Sequence, residues 1–379
     1  MIPRNNNMLQ QNIYIIYNHY FSETTKVCGM GGLNTYINNL LTTFVPRGYS
    51  VSVYQCANKQ FSMDWLGGKV IGVEQASNEH DLVQYILKNQ KPDLDNDVLL
   101  FATDFSIVKN PFKHSIAIQH GVAWDIPSQT PVGFLRNMAN IGLGALRAWR
   151  KYMRYRHCDT LVCVDYNFVN WYRTQLATIP NKMVVIPNFT ALWDGSLLER
   201  TQKDAVSIIF ARRLVPYRGT WLFTQAILPL LKKYPHIKVT VAGIGPDESY
   251  MQQQLGKYSN VHFTSFEAND SLKIHAQHDI AVVPTTGSEG TSLSLLEAMS
   301  AGCAVIASNV GGLTNILINN HNGMLIAPEQ VELTNALEKL ITDAALRRRL
   351  ATEGRKTVED SFSLTSWQNA WIHLIHKLV

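Results

Sequence analysis

The fold of this chain of 379 residues is decided by the stretch PTTGSEGTSLSLLEAMSAGCAVI, residues 284–306. It begins where an apolar run ends and continues through a polar, glycine-rich loop. From about Thr291 or Ser292 it carries leucine, alanine and methionine at helical spacing. Gly302 is placed to end this helix, and a second apolar run follows at once. A strand, loop, helix and strand in this order are typical of an α/β fold with a parallel sheet.

The loop and the start of the helix form a predicted anion site. The first turn of a helix has amide groups without intrahelical partners, and the helix dipole places a partial positive charge at the same end. Gly290, Thr291 and Ser292 lie at this point of the sequence. We therefore expect their backbone to bind a diphosphate.

Two glutamates flank this predicted site. Glu289 lies in the loop and Glu297 in the helix, a separation of ~12 Å along the helix axis. A nucleotide sugar has this reach, so a hexose could meet Glu289 while the ribose hydroxyls meet Glu297. The alternative is that Glu289 is an acid at a helix start and Glu297 a solvated helical residue. The leucines and alanine around Glu297 favour ligand binding, because an unpartnered carboxylate there would be costly.

Outward from this stretch, short β-branched or aromatic runs alternate with helix-length segments in two series. The predicted strands of the first series are Ile13–Asn18, Ser50–Gln55, Val98–Thr103, His114–Gln119, Thr160–Val164 and Met183–Ile186. Those of the second are Ser207–Ala211, Lys238–Ala242, Val261–Thr264, Ile280–Pro284 and Ala304–Ala307. We predict two Rossmann-like domains, 1–195 and 196–360, facing a cleft, and a helix over 361–379 that packs back on the first domain.

The composition excludes several classes of protein. An apolar fraction of 46% against 17% charged residues excludes a disordered or fibrous chain. The net charge of +5 is too mild to indicate nucleic acid as a partner. The apolar runs are shorter than a bilayer span or a signal peptide requires, and the five cysteines form no C-x-x-C pair. We expect a cytoplasmic protein with reduced thiols and no bound metal.

The first series contains two further candidate sites. Gly31 and Gly32 open a predicted helix, where the missing Cβ atoms let a ligand approach the backbone, although a tight turn is the alternative. His120 precedes a glycine at the end of a predicted strand, which is where open α/β sheets bind ligands. Asp125 is a weak candidate for holding an acceptor hydroxyl, with a turn-forming role as the alternative.

Residues 284–306 resemble the signature of glycosyltransferase family 4, which are retaining enzymes of the GT-B fold. The resemblance rests on two glutamates with seven residues between them, followed by Ala-Met-x-x-Gly-x-x-Val-Ile. It implies transfer of a hexose-type sugar from a nucleoside diphosphate sugar, based on UDP or GDP, to a hydroxyl of a glycan or lipid-linked glycan. It also implies catalysis without a metal or other cofactor and a role in cell-surface polysaccharide biosynthesis, such as that of lipopolysaccharide.

The resemblance also assigns roles to single residues. The segment ARRLVPYRG, residues 211–219, is similar to the family's Gly-Arg-Leu followed by Lys-Gly, so Arg213 and Arg218 would grip the diphosphate. Arg212 replaces the usual glycine. The expected catalytic residues are His120, Glu289, Arg213 and Arg218. The expected donor-binding residues are Gly31, Gly32, Gly290, Thr291, Ser292 and Glu297, and Asn188 would mark the hinge between the domains.

Other patterns favour different functions. Gly243 and Gly245 suggest a nicotinamide-dependent oxidoreductase, but Glu248 stands where the third glycine of that fingerprint belongs. Asp93-Leu-Asp95 has the D-x-D pattern of metal-dependent transferases, although it precedes a strand and indicates a solvated loop. The cations and aromatics over residues 147–156 fit either peripheral contact with the inner face of an anionic membrane or a solvated helix face. A non-catalytic subunit that binds sugar nucleotides stays open as well.

Overall fold

The structure, a computed structural model, describes residues 11–22, 32–121, 146, 149–150, 153–175, 182–195, 205–267, 270–287 and 289–378. The strands are β1 Asn12–Ile16, β2 Ser50–Cys56, β3 Phe61–Trp65, β4 Gly68–Val73, β5 Val98–Phe101, β6 His114–Gln119, β7 Thr160–Cys163, β8 Lys182–Val185, β9 Ser207–Ala211, β10 Lys238–Ala242, β11 Val261–Thr264, β12 Ile280–Val283, β13 Ala304–Ser308 and β14 Met324–Ile326. The helices are α1 Gly32–Phe44, α2 Glu79–Asn89, α3 Tyr166–Gln175, α4 Thr220–Lys233, α5 Glu248–Leu255, α6 Ser271–Ala276, α7 Leu293–Ser300, α8 Gln330–Thr342, α9 Ala344–Ser361 and α10 Leu364–Leu378.

The strands form two sheets, as the two series in the sequence predict. The first has the order β3-β4-β2-β1-β5-β6-β7-β8, and the second has the order β11-β10-β9-β12-β13-β14. Among the described strands, neighbours pair in parallel except in the antiparallel pair β3–β4. Both sheets are Rossmann-like, and the expected α/β class is confirmed. The first sheet ends at Val185 and the second begins at Ser207, so the predicted boundary near residue 195 lies in the connection.

Each sheet is covered by helices on both faces, which explains why its central strands read as continuous apolar runs. In the first sheet, α1 and α10 share one core with alternate residues of the strands, while α2 and α3 share the core on the other face. In the second sheet, α4, α5 and α8 cover one face and α7 covers the other. No helix in the described ranges is long and apolar enough to cross a bilayer.

The hairpin β3–β4 and the strand β14 are absent from the sequence-based prediction. The hairpin turns through Leu66 and Gly67, which both have positive φ, as a two-residue turn between twisted strands requires. Phe61 pairs with Gly72, and its ring fills the space where a side chain of Gly72 would lie. β3 is a half-buried edge strand and β4 carries two glycines, so neither has a strong strand signal.

The last helix, α10, packs on the first sheet although it follows the second in sequence. Trp367 and Trp371 are buried in the core beneath α1, and the indole nitrogen of Trp371 donates a hydrogen bond to the hydroxyl of Tyr36 at 2.9 Å. Thr190 and Ser363 form a β-bridge next to the point where the chain crosses back. The helix therefore links the end of the second domain to the core of the first.

Candidate active site

The candidate site lies after the carboxyl ends of the parallel strands, where open α/β sheets bind ligands. His120 follows β6, and Asp165 lies two residues after β7 in the first domain. Arg212 follows β9 and Glu289 lies in the loop after β12 in the second. The two edges touch: a Cβ atom at Gly121 would lie 3.1 Å from the amide nitrogen of Gly290. The candidate residues of both domains therefore meet at one junction.

Glu289 is the centre of a buried ionic cluster. One carboxylate oxygen, Oε2, accepts hydrogen bonds from Arg212 Nη2 at 2.7 Å, from Thr285 Oγ1 at 3.0 Å and from Arg218 Nη1. The side chains of Glu289 and Arg212 are 8% and 4% exposed, and that of Arg218 is 19% exposed. Burial alone would raise the pKa of Glu289, but the charges of Arg212 and Arg218 outweigh it and hold the pKa below its ordinary value.

Arg213 has different surroundings from Arg212. Its side chain is exposed and donates to the hydroxyl of Tyr217 at 3.3 Å. Of the two consecutive arginines, the structure therefore brings Arg212 to Glu289 and leaves Arg213 at the surface of the same loop. Sequence reasoning treated Arg212 only as a substitute for glycine, and it did not identify Thr285, which accepts from Arg212 and donates to Glu289.

The N-terminus of α7 lies beside this cluster. Ser292 is its N-cap residue but makes no side-chain cap bond, and its hydroxyl is buried without a hydrogen-bond partner among the described residues. Gly32, the first residue of α1, faces the same point, because a Cβ atom there would lie 3.3 Å from the side chain of Leu293. The N-termini of α1 and α7 thus lie against each other, and each helix has free amides and a positive dipole end in its first turn.

Glu297 lies one to two turns along α7 from that N-terminus. Its Oε2 accepts a hydrogen bond from the hydroxyl of Ser271, the first residue of α6, at 2.5 Å. Burial raises the pKa of Glu297 to about 7, while the Ser271 bond acts in the opposite direction. Sequence reasoning did not identify Ser271, which lies 26 positions earlier and carries no motif signal.

His120 is held by the first domain. Its Nε2 lies 2.9 Å from the carbonyl oxygen of Ala102, and its ring makes an edge contact with Tyr36 at 5.3 Å. Because a carbonyl oxygen only accepts, Nε2 carries the hydrogen in the neutral ring and Nδ1 is left as an acceptor. Burial lowers the pKa of His120, which favours this neutral form.

Further polar contacts cross the junction between the two domains. The amide of Asn188 donates to the carbonyl oxygen of Thr291 at 2.8 Å, and the Thr291 hydroxyl donates to the carbonyl oxygen of Val164. The backbone nitrogen of Tyr166 donates to the side chain of Asn315 at 2.9 Å. Asn188, expected at the hinge, therefore binds the loop that carries the candidate donor site.

Two sequence-predicted residues, Gly31 and Asp125, lie outside the described residues. The glycines at 243 and 245 have a packing reason: side chains there would collide with the carbonyl oxygens of Arg212 and Leu214. Asp93 and Asp95 belong to an exposed turn before β5, where Asp93 accepts from the backbone of Asp95 at 3.1 Å. Both patterns thus have structural explanations that need neither a dinucleotide nor a metal.

Comparison with known proteins extends this picture. Residues 199–357 match the family described as glycosyl transferases group 1. Phosphatidyl-myo-inositol mannosyltransferase of Mycolicibacterium smegmatis is 26% identical over 46% of this chain and 47% of its own length. D-inositol 3-phosphate glycosyltransferase of Stackebrandtia nassauensis is 31% identical over 39% of this chain and 36% of its own. The chain thus spans less than half the length of these curated relatives.

Solved structures resemble the chain over nearly its whole length. Sucrose-phosphate synthase from Thermosynechococcus elongatus superposes with a TM-score of 0.73 at 17% identity, covering 97% of this chain and 99% of that one. HepE from Anabaena in complex with UDP-glucose superposes with a TM-score of 0.72 at 15% identity, covering 97% and 100%. At these identities the likeness concerns the fold. Residues 199–357 are therefore a domain of the glycosyl transferases group 1 family, on a chain with the GT-B fold of glycosyltransferases.

Proposed function

We propose that this protein is a retaining glycosyltransferase that moves a hexose-type sugar from a nucleoside diphosphate sugar to an acceptor hydroxyl. The observation that carries the proposal is that the α7 N-terminus and the Glu289 cluster lie together against the residues that follow β6. At this N-terminus the hydroxyl of Ser292 is buried with no hydrogen-bond partner among the described residues. This arrangement offers an anion site beside a carboxylate, at a junction of two domains. A nucleotide sugar requires both kinds of group.

The diphosphate would bind at the converging helix N-termini. The amides of the α7 first turn and the backbone at Gly32 supply donors, and the Ser292 hydroxyl can add a hydrogen bond to a phosphate oxygen. Arg218 is close enough to bind Glu289 and is the more exposed arginine of that cluster. Together with Arg213 it would neutralise the charge that develops on the leaving diphosphate.

The two glutamates would hold the two ends of the donor. Glu289 is kept ionised and can accept hydrogen bonds from the hydroxyls of the transferred sugar. Glu297 can accept from the ribose, exchanging its bond with Ser271 for stronger bonds to the hydroxyls of the ligand. HepE, whose structure holds UDP-glucose, shares this fold and makes UDP-glucose a reasonable first donor to test.

The reaction we infer breaks the bond between the anomeric carbon and the diphosphate oxygen. It forms a bond from the same face of the sugar to the acceptor oxygen, and the acceptor proton passes to the departing phosphate. His120, neutral with Nδ1 as an acceptor, would bind a hydroxyl of the transferred sugar from the side of the first domain. The residues supply orientation and charge stabilisation without a metal. Activity should therefore persist in excess EDTA.

The acceptor would be a glycan or lipid-linked glycan that enters from the first domain, with Asp125 as a proposed contact. A surface near Met153 supports contact with a membrane: Trp149 and Phe105 are more than half exposed there, beside Arg150 and Arg154. Such a surface could insert its aromatic rings while its arginines bind anionic headgroups. Sedimentation with phosphatidylglycerol vesicles, compared with phosphatidylcholine vesicles, tests this contact.

The experiment for the proposed function is a thermal-shift screen of UDP, GDP and ADP sugars, with NAD as the competing dinucleotide. We expect one nucleotide-sugar class to raise the melting temperature at millimolar concentration by mass action. Turnover of that donor should then show a donor KM raised about tenfold by Glu297→Ala and a kcat lowered about tenfold by Arg213→Ala. Stabilisation by NAD alone would contradict the proposal, and binding without turnover would favour a non-catalytic subunit.

A further inference from the structure

Arg212 is a residue to which the sequence pattern assigns no role, because it stands in the place of a glycine. Its side chain is 4% exposed, and burying a guanidinium is costly unless it is paired and hydrogen-bonded. Both requirements are met: Nη1 donates to Thr285 Oγ1, and Nη2 donates to Glu289 Oε2 at 2.7 Å. An arginine that is buried and paired in this way fixes the conformation of its partner carboxylate.

The bonds of the cluster also orient Glu289. Arg212, Arg218 and Thr285 all donate to the same oxygen, Oε2, and none of these three bonds uses Oε1. The backbone of Glu289 is held as well, because its carbonyl oxygen accepts from the nitrogen of Gly312 at 2.8 Å. The carboxylate therefore has one oxygen committed to the protein, in a residue whose main chain is also fixed.

We propose that Arg212 is a positioning residue, which keeps Glu289 ionised and turned so that its other oxygen can bind the sugar of the donor. This inference rests on the proposed function. It separates the roles of the two consecutive arginines: Arg212 acts through Glu289 on the sugar, and the exposed Arg213 acts on the diphosphate. The affinity for a nucleoside diphosphate without a sugar should then not depend on Arg212.

The first test compares Arg212→Met with Arg212→Lys and Arg213→Met. The probes are two matched pairs, UDP-glucose with UDP and GDP-mannose with GDP. Arg212→Met should lower kcat for the active donor about a hundredfold and leave the affinity for the parent diphosphate within about threefold. The acid limb of its pH–rate profile should move to higher pH, since burial then raises the pKa of Glu289 with one charge fewer opposing it.

The controls separate positioning from a general loss of structure. Arg212→Lys keeps the charge and should recover most of the pH profile. Arg213→Met should weaken diphosphate binding without moving the acid limb. In a Glu289→Gln background, Arg212→Met should lower activity little further, because Arg212 acts on the sugar through the Glu289 carboxylate, which is absent there. Losses that add independently, or an unshifted acid limb in Arg212→Met, would overturn the inference.

A measurement of thermal stability tests the inference even if no donor turns over. Relative to wild type, Arg212→Met should lose about 5 °C in Tm at pH 8, where Glu289 is ionised and lacks one partner, and less at pH 5. In the Glu289→Gln background the Tm change on Arg212→Met should not depend on pH. A pH-independent change in both backgrounds would show that Arg212 does not control the ionisation of Glu289. Should Arg212→Met fail to fold, the double variant and Arg212→Lys carry the same comparison.

Discussion

At the scale of single residues, the two glutamates of one loop and helix have opposite electrostatic surroundings. Glu289 is surrounded by two guanidinium groups, which hold its pKa low against the effect of burial. Glu297 is half-buried and bonded to a neutral hydroxyl, and desolvation raises its pKa to about 7. The same residue type can therefore favour the ionised form at one end of the candidate site and titrate near neutral pH at the other.

Replacing Glu297 by Gln should stabilise the free protein in a way that depends on pH. The folded-state pKa lies above the unfolded one, so ionisation costs stability as pH rises from about 4.5 to about 7. The free energy of unfolding of Glu297→Gln should exceed that of wild type by about 2 kcal/mol at pH 8 and by much less at pH 5. Urea unfolding at the two pH values measures this difference.

Glu338 provides the control for that prediction. It lies at the surface, and its pKa is lowered by hydrogen bonds from Lys233 and Tyr234. Glu338→Gln should therefore give no gain in stability toward pH 8. A Glu297→Gln variant whose advantage over wild type stays the same at pH 5 and pH 8 would show that Glu297 does not titrate as described.

The glutamate pair could be predicted from the sequence because its spacing and its apolar neighbours are local features. It could not be predicted, however, that Arg212 is the residue that pairs with Glu289. Alternation along a strand places Arg212 and Arg213 on different sides, but β9 ends at Ala211, so the turn decides which arginine faces the loop after β12. Thr285 and Ser271 were missed for a related reason, since short hydroxyl side chains acquire a role only through tertiary contacts.

At the scale of elements, the turn before α4 depends on Gly219. Its φ of 84° lies in the left-handed region, and a Cβ atom there would collide with the carbonyl oxygen of Pro284 at the end of β12. This close approach lets the loop that carries Arg218 lie against the loop that carries Glu289. The glycine thus couples two elements of the candidate site.

Substituting Gly219 by Ala should destabilise the protein and disturb the site, and Gly48 offers a matched comparison. Gly48 has a similar φ of 90° but open space around its missing Cβ atom. Gly48→Ala should cost about 1 kcal/mol from backbone strain alone, whereas Gly219→Ala should cost at least about 2 kcal/mol more from the clash. Equal losses in chemical denaturation would contradict the described packing of the two loops.

The central strands of the two parallel series could be predicted because they are buried on both faces and therefore strongly apolar. The hairpin β3–β4 could not, since its strands are half-solvated or contain glycine, and its glycine at position 72 is compensated by the ring of Phe61 across the pair. Strand β14, three residues long, is too short for a periodic signal. Pairing with β13 makes it a strand.

At the scale of the whole molecule, α10 joins the two domains through its aromatic residues. Trp371 is fully buried and bonded to Tyr36, and the ring of Tyr36 contacts His120 at the candidate site. The helix that ends the chain therefore supports the side chain that the first domain contributes to the junction. The helical spacing of Trp367 and Trp371 predicts an apolar face that packs back on the first domain, and the contacts with α1 give its position there.

Trp371→Ala should cost about 3–5 kcal/mol, as expected for removing a large buried aromatic side chain. The exposed Trp221, which stacks on Tyr250 at 4.6 Å, is the control, and its replacement by Ala should cost about 1 kcal/mol. Thermal and urea unfolding of both variants test this difference. A Trp371→Ala variant as stable as Trp221→Ala would mean that α10 is not part of the first core.

The most direct measurement of the central claim follows the sugar itself. The purified protein is incubated with a panel of glycan acceptors and with UDP-glucose, GDP-mannose or ADP-glucose, with and without EDTA. Both the released nucleoside diphosphate and the anomeric proton of the glycoside product are recorded by NMR. The account predicts release from one donor class that is unaffected by EDTA and is lowered at least about a hundredfold by Glu289→Gln. It also predicts a product with the anomeric configuration of the donor. An inverted product, or a Glu289→Gln variant as active as wild type, would contradict it.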